Sequence, residues 1–138
     1  YKYRIFCICG DGETHEGQIW EAAMAAGHYK LNNLVNIVDY NQFSAYASIA
    51  AGMNLEPVVD KWKAFGWFVT EIDGHNISQI LDTLDLIDNI PAKPKCIIAH
   101  TVKGKGIPYY EDTHLHMPTI TEDDYRKSLE ALGIREEE

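Results

Sequence analysis

The chain has 138 residues, 46% hydrophobic and 11% aromatic, which fits one domain with a real core and excludes a disordered segment. Its formal charge of −9, with no basic stripe to offset it, argues against general nucleic-acid binding. No apolar run approaches the roughly 20 residues of a membrane helix and no secretory leader is recognisable, so the expected setting is a reducing cytoplasm.

Tyr3 to Cys9 is mostly apolar and bounded by glycine, and reads as a buried strand. Glu16 to Lys30 reads as a helix, rich in alanine, with Ile19, Ala22, Ala23 and Ala26 forming an apolar stripe. Gly27 costs that helix about 1 kcal/mol relative to alanine, which points to a tight contact. Asn32-Asn33 closes it, and Leu34 to Asp39 is a second strand. Asn41 to Asn54 has no period and reads as an irregular segment that touches a ligand. Leu55 to Phe65 reads as a helix, with Asn54 as N-cap, Pro57 in the first turn and Gly66 after the end.

Trp67 to Ile72 is a third strand. Asn76 to Asn89 is an amphipathic helix with Ile77, Ile80, Leu81, Leu84 and Ile87 on one face. Lys95 to Thr101 is a fourth strand, and Val102 to Pro118 a loop. Thr121 to Leu132 closes the series as a helix, with Thr121 as N-cap, Asp124 at the third helical position and Gly133 after it. Strands alternating with helices predict an α/β fold: a mainly parallel sheet, right-handed crossovers and helices on both faces. Cys7, Cys9 and Cys96 all lie in strand-like runs, make neither a disulfide framework nor a zinc pattern, and are expected as buried thiols. Trp20, Trp62, Phe65 and Trp67 read as core or interface aromatics.

The chemistry gathers between Ile8 and Phe43. One apolar run enters Gly10-Asp11-Gly12 and the next enters Asp39-Tyr40-Asn41. If both are neighbouring parallel strands, Asp11 and Asn41 emerge together at carboxyl ends, where open α/β sheets place ligands. A carboxylate and an amide oxygen suit a hard divalent cation, and the glycines admit a diphosphate close to the backbone. The plainer alternative makes Gly-Asp-Gly a turn and Asn41 a cap.

These residues also carry a resemblance. Gly10-Asp11-Gly12-Glu13, Glu16-Gly17-Gln18-Ile19-Trp20-Glu21, Val38-Asp39-Tyr40-Asn41, Leu55-Glu56-Pro57, Ile72-Asp73-Gly74-His75 and Lys103-Gly104-Lys105-Gly106 together resemble the transketolase family of thiamine-diphosphate enzymes, closest to the amino-terminal subunit of its split members. The resemblance implies a thiamine-diphosphate-binding fold over residues 1–133, incomplete at its amino terminus, with 134–138 an acidic tail. Further cofactor and substrate residues are expected on a preceding segment that this sequence does not hold.

The resemblance also implies roles. Asp11, Asn41 and the Phe43 carbonyl would hold Mg²⁺ or Ca²⁺; Gly10, Asp11, Gly12, Glu13, Asn41, Phe43 and Ala45 would bind the cofactor, Gly12 through its N–H. Glu13 is otherwise a first-turn acid. Glu16 would join an acidic hydrogen-bond network between paired active sites, or else simply suit a helix amino terminus. His116 would face the thiazolium and substrate for proton transfer, with His114 the alternative; Met117 stands where the family usually has glycine. His75 reads as structural, and Lys103 and Lys105 as phosphate contacts or solvated charges with equal claim. Ala45 falls where a larger aliphatic residue normally packs on the cofactor, which implies a roomier pocket or a different donor.

The implied activity is transfer of a two-carbon ketol unit from a ketose to an aldose, sugar phosphates among them. The implied partner is a carboxyl-terminal, pyrimidine-binding subunit or domain, in a dimer of such pairs, with no nucleic acid and no membrane. The alternatives are a related enzyme acting on an unusual sugar and a non-catalytic assembly subunit.

Overall fold

Four apolar runs, each ending in a polar or glycine turn, become four parallel strands: β1 (Ile5–Gly10), β2 (Leu34–Tyr40), β3 (Phe68–Asp73) and β4 (Lys95–His100). The structure, a computed structural model, describes residues 3–113 and 119–134. The strand order is β1-β2-β4-β3. Among the described residues five α-helices accompany the strands: α1 (Gly17–His28), α2 (Ile49–Gly52), α3 (Val58–Ala64), α4 (Ile77–Asp88) and α5 (Glu122–Ala131).

The sheet is covered on both faces. Cys9, Val38, Cys96 and Ile98 pack with Ala23 and Ala26 of α1 and Val58 and Trp62 of α3. Val35, Ile72, Ile97 and Ala99 pack with Ile87 of α4, flanked by Ile80 and Leu84. The strand order explains the division. From β1 to β2 to β3 the chain moves one way across the sheet; from β3 to β4 it turns back, so crossovers of a single hand put α4 opposite α1 and α3. Val38 and Ile98 at the sheet centre are wholly buried, and an aliphatic chain buried this way contributes about 1.5–3 kcal/mol. Trp62 and Trp67 are buried edge to face, 4.9 Å between centroids, and half-buried Trp20 meets Trp62 at a tilt, 5.4 Å between centroids.

Several expectations are corrected. β1 is not a buried strand: it is an edge strand in which only Cys9 is buried, with Ile8 71% exposed and Phe6 exposed beside it. Cys7 is exposed with it; Cys9 and Cys96 are buried as expected, and burial pushes both thiols up. The buried stripe of α1 narrows to Ala23 and Ala26, with Ile19 half-buried and Ala22 exposed, because α3 meets the helix on that side. The helix stops at His28 rather than Lys30, which sits at φ 51°.

The buried face of α4 holds Ile80, Leu84 and Ile87 as expected but not the other two residues placed on it. Ile77 and Leu81 are 67% and 57% exposed, while Thr83 and Ile87 are buried. The third helix starts only at Val58, with Pro57 at its N-cap, and Asn54 instead takes the Glu56 N–H at 3.0 Å. The short α2, capped by Ser48, lies inside the segment expected to be irregular. α5 carries the predicted cap: Thr121 and Asp124 exchange side-chain and backbone hydrogen bonds as a capping box.

Candidate functional site

β1 and β2 finish side by side, and their ladder runs one bond past the last pair, from Asp11 N to the Asp39 carbonyl at 3.0 Å. The chain then turns sharply through Gly12–His15, with Thr14 donating both its N–H and its hydroxyl to the Asp11 carbonyl. Asp11 is fully buried by this turn. Its Oδ1 accepts the Gly12 N–H at 2.7 Å and its Oδ2 the Gln42 N–H at 2.5 Å. Burial pushes its carboxyl up; the Gln42 and Gly12 N–H groups pull it back, and the nearby Asp39 charge adds to the rise. A carboxylate offers about four lone-pair sites. Two are used here, which leaves capacity for a cation.

The end of β2 is fixed as tightly. Gln42 adopts φ 67°, a left-handed conformation uncommon outside glycine, and its N–H bond to Asp11 holds it there. Its carbonyl accepts Ile49 N at 2.8 Å, Phe43 bridges Ser48, and Ser44 N donates to the Ala47 carbonyl. The Asn41 side chain is held at both ends: Oδ1 accepts Phe43 N at 2.9 Å, and Nδ2 donates to Asp39 Oδ2 at 3.3 Å. This loop lies against the glycine turn. A Cβ added to Gly12 would stand 3.1 Å from Ser44 Cβ.

Between the two arms lies an open cleft of about 580 Å³. Gly10, Asp11, Gly12, Glu13, Glu16, Asn41, Phe43 and Ala45 all line it, together with His15, Tyr46 and Lys103. Every described residue that the sequence placed at the cofactor therefore reaches one cavity. His116 and His114 lie outside the described residues, as does most of the acidic tail. Glu13 turns back to accept the Gly10 N–H at 2.7 Å. Glu16 precedes α1, makes no side-chain cap bond and is exposed at the rim.

The two lysines separate. Lys103 is half-buried in the cleft wall, whereas Lys105 pairs with Glu111 at 3.6 Å. His75 has the structural bond expected of it, accepting Val102 N on Nε2 at 2.8 Å. His15, which the sequence reading passed over, donates Nε2–H to the Met53 carbonyl at 2.7 Å; its position four residues past Asp11 was the available signal.

A larger hollow of about 640 Å³ lies at the opposite ends of the strands, beside Arg4, Asn33 and Lys95. Size favours it; the carboxyl-end rule and the donor chemistry favour the Asp11 cleft. Asp11, Asn41 and Phe43 line that cleft, and a carboxylate, an amide oxygen and a peptide carbonyl are the hard oxygen types that suit Mg²⁺ or Ca²⁺. Among the described residues no group of three His, Cys, Asp or Glu side chains has metal spacing, so a cation here would draw on this mixed set.

The sequence pattern described as "Transketolase, thiamine diphosphate binding domain" matches residues 1–138. The chain belongs to the transketolase family. The chain is 40% identical over 134 residues to an apulose-4-phosphate transketolase subunit of Phocaeicola vulgatus, covering 96% of this chain and 48% of that one. It is 40% identical over 129 residues to the 6-deoxy-6-sulfo-D-fructose transketolase subunit SqwG of a Clostridium species, covering 93% and 47%. The chain thus spans about half the length of the curated relatives it matches. Its fold matches the crystal structure of Campylobacter jejuni transketolase with a TM-score of 0.88 at 34% identity, covering 96% of this chain and 21% of that one. The parallel sheet is accordingly that of the transketolase thiamine-diphosphate domain. Among the described residues no helix is long and apolar enough to cross a membrane.

Proposed function

We propose that this chain supplies the diphosphate- and metal-holding part of a transketolase active site completed by a second, pyrimidine-binding chain or domain. The observation that carries the reading is the convergence of buried Asp11 with half-buried Asn41 and Phe43 on one cleft at the carboxyl ends of β1 and β2. Asp11, Asn41 Oδ1 and the Phe43 carbonyl hold Mg²⁺ or Ca²⁺, and the Gly10–Gly12 turn receives the diphosphate. The domain is 1–133, with an acidic tail at 134–138.

Thiamine diphosphate, when bound, supplies the carbon–carbon bond chemistry for ketol transfer from a ketose to an aldose. The chain's own work is to orient the diphosphate and neutralise it through the metal. Glu16 at the rim joins the acidic contact to a paired site, and His116 moves a proton at a substrate hydroxyl. The dimer of subunit pairs works in the cytoplasm, where three free cysteines are at home. The word "subunit" in the relatives' names supports a partner chain.

The test is calorimetric titration of thiamine diphosphate with Mg²⁺ into the intact protein and its partner. Metal-dependent binding that disappears in Asp11→Ala is expected. Equal binding by that variant defeats the reading. Turnover of a ketose and an aldose by the same assembly separates an enzyme from a binding protein that takes up cofactor and transfers nothing.

A specialised sugar substrate is the second reading. It is favoured by the names of the two bacterial relatives and by the small side chain of Ala45 in the cleft wall. Ala45→Ile is expected to change cofactor affinity or the ranking of donor ketoses, and unchanged kinetics across a donor panel removes the idea.

A further inference from the structure

Asp39 stands between the two arms of the cleft without lining it. Its side chain makes two bonds and its carbonyl a third. Oδ2 accepts Asn41 Nδ2 at 3.3 Å, Oδ1 accepts the Thr101 hydroxyl at the end of β4, and the carbonyl accepts Asp11 N at 3.0 Å. One residue is therefore bonded both to the main chain of Asp11 and to the side chain of Asn41.

From this we infer that Asp39 is a positioning residue that turns the Asn41 amide so that its oxygen, and not its NH₂, is presented to a cation. The inference rests on the metal site proposed above and adds a residue to it. The physical need is specific to asparagine. Its two amide ends have nearly the same shape, yet one is an acceptor and the other a double donor. An NH₂ facing a cation is repelled. An ionised carboxylate can only accept, so it selects the NH₂ end and directs the oxygen away from itself.

The Phe43 N–H bond to Asn41 Oδ1 makes the same choice from the other side. Thr101 anchors the carboxylate to β4, a strand that carries none of the proposed ligands. Asp39 is also at the last rung of the β1–β2 ladder, opposite Gly10, so its main chain moves only with the sheet. Outer partners that orient a ligand in this way commonly change metal affinity about 10- to 100-fold when removed.

The test uses the intact protein with its partner chain and follows two readouts. One is the Mg²⁺ concentration needed for half-maximal thiamine-diphosphate binding. The other is the rise in melting temperature that Mg²⁺ produces. D39A loses both the acceptor and the charge. D39N loses the charge, but its carboxamide can still accept from Asn41 Nδ2 and donate to Thr101. The expected result is a roughly 10-fold or greater weakening for D39A, with the Mg²⁺-induced stabilisation lost, and less than about threefold for D39N.

Equal losses in the two variants would assign the effect to charge and overturn the inference. Wild-type affinity in D39A would overturn it as well. If D39A does not fold, T101V releases the carboxylate from β4. A weakening of Mg²⁺ without change in metal-free stability is then expected, and unaltered affinity counts against the role. D11A serves as the separate check. Wild-type Mg²⁺ dependence in D11A would remove the metal site itself, whatever the Asp39 variants do.

Discussion

Gly27 and Phe65 meet backbone to backbone: a Cβ on Gly27 would lie 1.8 Å from the Phe65 carbonyl oxygen. No side-chain rotation relieves that contact, because both partners are main chain at the ends of α1 and α3. Alanine would gain about 1 kcal/mol in helix propensity. Overpacking at a rigid site costs about 1–3 kcal/mol and occasionally more. The clash wins, so Gly27→Ala is expected to lower stability by about 2 kcal/mol in urea unfolding of the intact protein. A variant as stable as the parent would show that the helices part easily there.

Tyr40 and Glu56 predict a pH dependence. The Tyr40 hydroxyl donates to Glu56 Oε1 at 2.5 Å, and Val58 N–H donates to Oε2 at 3.0 Å. These bonds, Tyr40 first, hold the Glu56 carboxyl below its ordinary value of 4.5, while burial pushes the Tyr40 phenol up and out of the working range. A depressed carboxyl contributes stability that is present above its unfolded value and lost as pH falls through its folded value. Glu56 is exposed, so the bond contributes about 1 kcal/mol, below the usual range for a charged acceptor. Tyr40→Phe is therefore expected to cost that much at pH 7 and progressively less below about pH 4.5. A cost that stays constant down to about pH 3 would trace the effect to packing instead.

Lys103 and Lys105 predict a contrast. Lys103 shares the cleft with Asp11, and Lys105 is paired with Glu111 outside it. A cation about 8 Å from a phosphate contributes about 2 kcal/mol at an effective dielectric constant of about 20, reduced further by salt. Lys103→Met is expected to weaken thiamine diphosphate about tenfold, more at low salt, whereas Lys105→Met stays within about twofold. Equal effects of the two substitutions would remove Lys103 from the proposed diphosphate site.

These contacts also mark where sequence reasoning reached. The parallel sheet was legible because its runs are apolar, short and closed by glycine or polar turns. The meeting of Asp11, Asn41 and the residues around them at one cleft was legible because chemistry and spacing coincide at two strand ends. The burial of β1 was not, since an apolar run looks the same at an edge as at the centre of a sheet. The face of α4 was read too wide because Ile77 and Leu81 share the helical spacing of Ile80 and Leu84. Asp39 was hidden for another reason. Its partner Thr101 lies just past β4, far away in sequence, and only the order β2-β4 brings it near.

The β1–β2 ladder works as a caliper for the site, with consequences for where the gene tolerates length change. Side chains alternate faces along a strand, so a slip of one residue in β2 would exchange Asp39 with Tyr40. The carboxylate would go to the α1 and α3 side and the phenol would take its place. Length in the 29–33 connection is buffered, because those residues are mostly exposed and precede the first rung at Ile5 and Leu34. Length between Tyr40 and Phe43 is not buffered at all. Insertions accepted by the first segment and refused by the second would trace, in a library of variants, the outline of the ladder itself.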